Sequence, residues 1–125
     1  MTLEIDVVCL FPGMLEGPLS ESIPGRTRER GLADVRLHDL REWGLGKHRS
    51  VDDTPYGGGA GMVLRPEPVA AALDALRRAD SCVILLDPGG EVFTQGRAAD
   101  LAGRAHLILE KGRGQRVKRV RLRKL

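Results

Sequence analysis

The sequence predicts an α/β domain built on a mostly parallel sheet with helices on both faces. Segments rich in β-formers alternate with segments of helical periodicity, which is the rhythm of parallel strands joined by helices. The first strand segment, 3–11, is nearly continuous in apolar residues after Asp6, as in strands that are covered on both faces. At 125 residues the chain is long enough to bury one core.

Four strands are predicted, at 3–11, 33–40, 81–86 and 106–110. The second alternates with period two, so one of its faces should be wetter than the other. The segment 87–90, Asp-Pro-Gly-Gly, is predicted as a turn that closes the third strand.

The helices are predicted between these strands. Pro18 and Pro24 interrupt an irregular apolar face formed by Met14, Leu15, Leu19 and Ile23. A short helix is predicted at 26–30, with Gly31 as its C-terminal cap. Pro66-Glu67-Pro68 opens a helix over 69–79, and Thr94 caps a helix over 95–101.

Composition narrows the class of protein. The hydrophobic share of 42% is that of a globular domain, and no apolar run approaches the ~20 residues that span a bilayer. The N-terminus lacks the basic and apolar regions of a secretory signal. Cys9 and Cys82 each lie in an apolar run, which favours buried reduced thiols and a cytoplasmic location.

Charge is distributed unevenly along the chain. Residues 110–125 carry eight Lys and Arg against one Glu, whereas residues 1–109 carry 12 Lys and Arg against 16 Asp and Glu. The sequence is therefore divided at 110 into an acidic body and a basic tail, 111–125.

Three glycine-rich segments are expected to lie beyond the carboxyl ends of the strands, where open α/β sheets bind ligands. They are the loop beginning near Gly44, the turn 87–90, and Gly112-Arg113-Gly114. We interpret them as three walls of one pocket.

The loop 47–62 is the most distinctive stretch, with four glycines in five positions after a basic trio. No Lys-Ser or Lys-Thr follows Gly61, so the loop is not a phosphate-binding P-loop. It is either a ligand-facing loop whose backbone lies against a planar base or an adenosine, or a solvated hairpin. His48 and its neighbours are equally consistent with a nucleic-acid phosphate contact and with a solvated basic cluster.

The remaining polar residues suggest little chemistry by spacing alone. Asp52-Asp53 could supply a general base or bind a cation, although adjacent loop carboxylates more often cap turns. His38 and His106 lie in predicted strands without ligand partners at metal-site spacing. No Ser-His-Asp or Cys-His arrangement is suggested.

The sequence resembles the bacterial tRNA (guanine-N1)-methyltransferase family, of the SPOUT class, over its N-terminal portion from about Ile5 to Arg113. The most specific match is the run 47–62, Lys-His-Arg-x-Val-Asp-Asp-x-Pro-Tyr-Gly-Gly-Gly-Ala-Gly-Met. Other matches follow in order: Leu10-Phe11-Pro12 with Met14, Gly25-Arg26, Gly31-Leu32, Glu67-Pro68 with Ala72-Leu73, Pro88-x-Gly90 with Phe93-x-Gln95, and Leu107-Ile108-Leu109 followed by Gly112-Arg113.

The resemblance implies a homodimeric enzyme that transfers the methyl group of S-adenosylmethionine to N1 of the guanosine 3′ of the tRNA anticodon. It implies that the cofactor lies in a trefoil knot. The cofactor contacts that it implies are Leu85, Leu86, Asp87, Pro88, Gly90 and Gly112. The substrate contacts that it implies are His48, Arg49, Asp52, Gly57, Gly58, Gly59 and Gly61.

The sequence departs from the family in three ways. Family members are about twice as long, so the knot is truncated before it can be completed, and the aspartate and arginine that serve catalysis would lie in the missing half. No catalytic residue is therefore assigned here, and the isolated chain is predicted to be inactive. Asp87 stands where a serine is common, and the pattern changes abruptly at Lys111, which we interpret as a frame-shifted or truncated end.

A non-enzymatic RNA-binding module is the alternative function. The cations of the tail could neutralise several phosphates, and the resulting affinity would fall steeply with salt. Loss of RNA binding on deletion of residues 111–125 would favour this alternative over binding at the loop around His48.

Overall fold

The computed structural model describes residues 1–54, 57–58, 62–111 and 119–123, with the side chains of 88, 111 and 119–123 left aside. The strands are β1 (Leu3–Cys9), β2 (Ala33–Asp39), β3 (Asp52–Asp53), β4 (Val63–Leu64), β5 (Ser81–Val92), β6 (His106–Lys111) and β7 (Arg119–Arg123). The helices are α1 (Gly13–Ser20), α2 (Ser22–Glu29), α3 (Pro66–Leu76) and α4 (Gln95–Ala102), with a 3-10 helix at Leu40–Trp43.

The main sheet has the strand order β2-β1-β6-β5-β7. Its first four strands are parallel, which confirms the predicted mostly parallel sheet. The fifth strand, β7, pairs antiparallel with β5 and lies in the cationic segment 111–125. No strand was predicted there, although its Arg-Val-Arg-Leu-Arg sequence alternates with period two.

The core is divided between the two faces of the sheet. On one face Val8 packs with Leu40, Val51 and Ala72, so α3 and the 3-10 helix cover that side. On the other face Leu101 of α4 packs with Cys82, Ile84 and Leu107. Because successive strand residues point to opposite faces, the apolar run of each central strand supplies both clusters.

The prolines interrupt the helices less than predicted. Pro18 lies inside α1, which has only eight residues, so its ring removes one intrahelical hydrogen bond near the end of the helix. Pro24 lies in the first turn of α2, where a backbone amide needs no intrahelical partner. The helix predicted at 26–30 therefore begins at Ser22, and Gly31 follows it with φ +70°, as expected for a C-terminal cap.

The other helix boundaries follow their capping chemistry. Pro66 is at the first position of α3, three residues before the predicted start, and the helix ends at Leu76 rather than residue 79. The Thr94 hydroxyl accepts a hydrogen bond from the Arg97 amide at 3.2 Å, which confirms the predicted cap of α4.

The predicted turn at 87–90 is wrong, because β5 continues through it to Val92. Leu86 and Glu91 are both in register with Val120 of β7, so residues 87–90 form an irregularity opposite a single residue. Because β7 pairs antiparallel with β5 on both sides of this insertion, β5 continues in the same direction after it. None of the described helices is long and apolar enough to cross a membrane.

Candidate functional site

The carboxyl ends of the four parallel strands meet at one edge of the sheet. Cys9 is in register with Asp39, Val8 with Glu110, and Leu86 with Lys111. The segments that leave these strand ends therefore start side by side, where α/β sheets bind ligands. This rim contains the start of the segment that leads to the glycine loop, and it contains residues 87–90.

Lys47, His48 and Arg49 lie at the tip of a short closed loop beyond this edge. Leu45 and Ser50 close it by exchanging backbone hydrogen bonds of 2.8 and 2.9 Å. Arg49 has φ +50°, a left-handed conformation that is uncommon for a residue with a side chain. His48 and Arg49 are both exposed, so the loop presents its cations to solvent.

Gly44 makes this closed loop possible. A Cβ atom at Gly44 would lie 2.3 Å from the carbonyl oxygen of Arg49, a contact that the backbone cannot relieve without moving. We therefore expect Gly44→Ala to lower the free energy of unfolding by about 1–3 kcal/mol, as overpacking does. Hydrogen exchange at the amides of Leu45 and Ser50 should accelerate in the variant.

Gly13→Ala is the matched control for that substitution. A Cβ at Gly13 meets nothing within 4 Å, and the residue begins α1. Alanine there should leave stability unchanged or raise it by up to about 1 kcal/mol. If hydrogen exchange at the amides of Leu45 and Ser50 is unchanged in Gly44→Ala, the close approach of Gly44 to the Arg49 carbonyl does not stabilise the closed loop.

The glycine loop itself connects a small hairpin. Asp52 and Asp53 of β3 pair antiparallel with Leu64 and Val63 of β4. The Arg65 side chain donates from Nε to the Asp52 carbonyl at 3.1 Å, and its Nη2 lies 3.5 Å from Asp53 Oδ2. The buried Val51, just before β3, anchors this hairpin in the core on the α3 face.

The predicted substrate contacts are only partly placed. Gly57 and Gly58 are exposed and have φ values of +80° and +88°, which glycine adopts without strain. Asp52 is half-buried at the base of the hairpin. Gly59 and Gly61, like the predicted cofactor residue Gly112, lie outside the described residues.

The predicted cofactor residues of β5 lie at the same rim but on different faces. Leu85 is in register with Glu110, which is in register with Val8, so all three side chains lie on the α3 face. Leu86 packs against the cluster on the α4 face. Asp87 is half-buried, and its Oδ1 accepts the Gly89 amide at 3.0 Å. Gly90 is buried, and the backbone of Pro88 lies between Asp87 and Gly89.

Glu110 is a rim residue that the sequence did not single out. It is 5% exposed and stands at the carboxyl end of β6. Burial raises the pKa of its carboxyl group to about 7. Such a carboxyl group, with a pKa near neutrality at an edge where ligands bind, is a candidate functional group. Burial creates this property, and no sequence motif indicates it.

A second polar cluster lies near the amino ends of the strands. The buried Asp6 carboxylate accepts hydrogen bonds from Arg36 Nε and Nη2 at 2.9 and 3.0 Å, from His38 Nε2 at 2.7 Å and from His106 Nε2 at 2.6 Å. Burial alone would raise the pKa of Asp6, but the hydrogen bonds from Arg36, His106 and His38 outweigh it, so the pKa lies well below its usual range.

This cluster corrects the expectation that no Ser-His-Asp arrangement is present. Since Asp6 only accepts, His106 donates from Nε2, and its Nδ1 lies 2.6 Å from the Ser81 hydroxyl oxygen, within hydrogen-bond distance. Ser81 Oγ also accepts the Arg78 amide at 2.7 Å. Ser81 begins β5 at the sheet edge opposite the rim, so the chain of hydrogen bonds serves to tie the four parallel strands together.

The same cluster does not form a metal site. Within the described part of the chain, no group of three or more His, Cys, Asp or Glu side chains is arranged to hold a metal ion. The two histidines instead use their Nε2 atoms as donors to one carboxylate.

The comparison with known proteins identifies relatives over most of the chain. A tRNA (guanine-N(1)-)-methyltransferase of Chloroflexus aggregans is 49% identical over 110 residues, which are 86% of this chain and 43% of that protein. Proteins of the same name from Dictyoglomus turgidum and Thermus thermophilus are 47% identical over 111 residues and 53% over 107, which are 89% and 86% of this chain. They are matched over 45% and 44% of their own lengths, so the chain spans about half the length of these curated relatives.

The family model described as tRNA (Guanine-1)-methyltransferase TrmD matches residues 3–123, which is nearly the whole chain. The match includes β1 to β6 and reaches the end of β7. The resemblance inferred from the residue patterns is therefore confirmed: this chain belongs to the tRNA (guanine-1)-methyltransferase family.

Proposed function

We propose that this chain forms the cofactor-side and substrate-side walls of a methyltransferase that modifies N1 of the guanosine 3′ of the tRNA anticodon. The observation that carries the proposal is the family match over residues 3–123, together with relatives named as tRNA (guanine-N(1)-)-methyltransferases. The rim formed by the carboxyl ends of the parallel strands is where both ligands would meet.

S-adenosylmethionine would supply the methyl group as an electrophilic carbon on its sulfonium. The described rim residues fit such a ligand. The ladder with β7 skips from Leu86 to Glu91, so the backbone of residues 87–90 lies outside the regular pairing and can face an adenosine. The Asp87 carboxylate can accept from ribose hydroxyls, and Leu85 and Leu86 supply apolar surface. Pro88, Gly90 and Gly112 complete the proposed cofactor set.

The tRNA would approach from the side of the closed loop. His48 and Arg49 are exposed at its tip and would contact the phosphate backbone. Asp52 and the glycines Gly57, Gly58, Gly59 and Gly61 would line the approach of the target base. Glycine backbone allows a planar base to come close, because no side chain stands in the way.

We also propose that the enzyme is a homodimer with a trefoil knot, and that the isolated chain is inactive. The chain spans 43–45% of the relatives named above, and no described residue is assigned the removal of the N1 proton of guanine. A cofactor pocket with only part of its walls should bind weakly. Inside the cell, such an enzyme would meet tRNA in the cytoplasm.

We expect no N1-methylguanosine when the purified chain is incubated with S-adenosylmethionine and a tRNA transcript that has guanosine 3′ of the anticodon. Mass spectrometry of the digested RNA measures the product. The full-length Thermus thermophilus relative is the positive control, and a transcript with adenosine at that position is the negative control. Product from the 125-residue chain that depends on the guanosine would contradict the predicted inactivity.

RNA binding through the basic segment is the second candidate. It rests on the eight Lys and Arg in residues 110–125 and on β7, which places part of that segment at the edge of the sheet. Binding that is indifferent to RNA sequence and falls steeply between low and high salt would favour it. Binding that requires the anticodon region would favour the methyltransferase rim.

A further inference from the structure

Glu110 carries a buried carboxyl group without a partner. The residue is 5% exposed, yet no hydrogen bond or ion pair joins its side chain to a described residue. Burial is the cause that raises its pKa, and no described cation opposes it. By contrast, the buried Asp6 accepts hydrogen bonds from three side chains. Glu110 is therefore an exception to the rule that buried polar groups are hydrogen-bonded.

The carboxyl oxygens of Glu110 are accessible despite this burial. Among the described residues, every side-chain oxygen or nitrogen that is completely sealed from solvent has a hydrogen-bond partner. Because the oxygens of Glu110 have none, they keep a small exposed area. Glu110 stands near the carboxyl end of β6, so this opening lies at the rim, where a ligand can reach it.

Glu110 lies between the two proposed ligand walls. On one side it is in register with Leu85 of β5, two residues before Asp87. On the other side it is in register with Val8 of β1, which packs with Val51 at the base of the β3–β4 hairpin. The carboxyl group is thus adjacent both to the segment proposed for the cofactor and to the hairpin that carries the glycine loop.

The chemistry of this position restricts what can pair with it. An ionised Glu110 repels phosphate and carboxylate groups, and a purely apolar ligand would leave the carboxyl group unpaired. A planar base with an exocyclic amino group suits the position. A carboxyl oxygen accepts an N–H in either protonation state, and apolar side chains such as Leu85 offer surface to the ring.

We propose that Glu110 accepts a hydrogen bond from the exocyclic amino group of a purine bound at the rim. This inference rests on the proposed function, which brings two such purines to this edge, the adenine of the methyl donor and the guanine of the tRNA. Both carry an amino group beside a ring nitrogen, so the same carboxyl chemistry serves either. Glu110 is assigned base recognition and no part in moving the methyl group.

The binding of three nucleotides tests the proposal without methyl transfer. Guanosine and inosine monophosphate differ only in the exocyclic amino group of guanine, and adenosine monophosphate has an amino group where inosine has a carbonyl. Amide chemical shifts in NMR titrations give each Kd, and the shifts should be largest at Leu85 and Glu110 and small at Ser81, at the opposite edge of the sheet.

We expect the guanine or the adenine nucleotide to bind the wild-type chain about tenfold or more tightly than the inosine nucleotide, as a hydrogen bond to a charged group usually provides. Preference for the guanine nucleotide identifies the substrate as the source of the amino group. Preference for the adenine nucleotide identifies the methyl donor.

Glu110→Leu, with Glu29→Leu as its matched control, assigns this preference to the carboxyl group. Glu29 is exposed at the end of α2, which leads into β2 at the opposite edge of the sheet. We expect Glu110→Leu to bind the three nucleotides equally and Glu29→Leu to keep the wild-type preference. Glu110→Gln retains the volume and one acceptor oxygen, so it should lose part of the preference.

Equal or absent binding of the three nucleotides by the wild-type chain would overturn the proposal, and so would a preference that survives Glu110→Leu. If circular dichroism shows that Glu110→Leu does not fold, an unchanged preference in Glu110→Gln counts against the proposal in its place. None of these results concerns methyl transfer, which the tRNA assay measures separately, so failure of Glu110 in base recognition is distinguishable from failure of the proposed function.

Discussion

Replacing Asp6 with alanine is expected to lower the free energy of unfolding by about 3–5 kcal/mol, the usual cost of removing one partner of a buried charge pair. The substitution leaves Arg36, His38 and His106 without their shared acceptor. His106 is 1% exposed, so water cannot readily replace the lost carboxylate at its Nε2. Urea denaturation followed by circular dichroism measures the change.

Asp34→Ala is the control, because Asp34 contacts the same arginine from the surface. Its Oδ2 lies 3.4 Å from Arg36 Nη1, and its side chain is 54% exposed. Removing an exposed pair of this kind should cost no more than about 1 kcal/mol. Equal losses for the two variants would mean that the buried cluster contributes nothing beyond ordinary surface charge.

Glu110→Gln is expected to stabilise the chain by about 3 kcal/mol above pH 7 and to have little effect below pH 4.5. Burial raises the pKa of Glu110 from 4.5 to about 7 in the folded chain. As the pH rises through this interval, the unfolded chain has already released the proton while the folded chain still holds it. Stability therefore falls as pH rises, and glutamine removes that loss.

Denaturation of the wild type and the variant at pH 4, 6 and 8 measures this difference. The exposed Glu29 provides the control, and Glu29→Gln should change stability by less than about 0.5 kcal/mol at each pH. A constant difference between Glu110→Gln and the wild type across this range would show that the buried carboxyl group does not titrate there.

The carboxyl groups of Asp6 and Glu110 make stability depend on pH in opposite directions. The pKa of Asp6 in the folded chain lies below its value of 3.8 in an unfolded chain, so its stabilisation is present above that value and is lost as the pH falls further. The destabilisation caused by Glu110 grows in the other direction, as the pH rises from 4.5 to about 7. Asp6 lies deep in the sheet and Glu110 lies at the rim, so a rim ligand that pairs with Glu110 would reduce only the second effect.

The local elements were largely predictable because their signals are local. Apolar runs marked β1 and β6, period-two alternation marked β2, and Thr94 marked the start of α4. The glycine-rich motif identified the family, because it requires that particular order of residues and not merely a composition. The prediction that Pro18 and Pro24 interrupt the helical face was wrong, because in these short helices each proline occupies a position where few intrahelical hydrogen bonds are lost.

Contacts between distant residues were not predictable in this way. Asp6 and His106 are 100 positions apart, and only the pairing of β1 with β6 brings them together. The extension of β5 through residues 87–90 depends on β7, whose alternating pattern lies within a run of charge.

The order of residues was enough to establish the family and the alternation of strands and helices, and it marked the glycine-rich segment as the most distinctive stretch. Only the folded structure shows which carboxyl groups are buried and which polar side chains share a partner. These properties depend on burial and on strand order, and both arise only when segments far apart in the chain pack together.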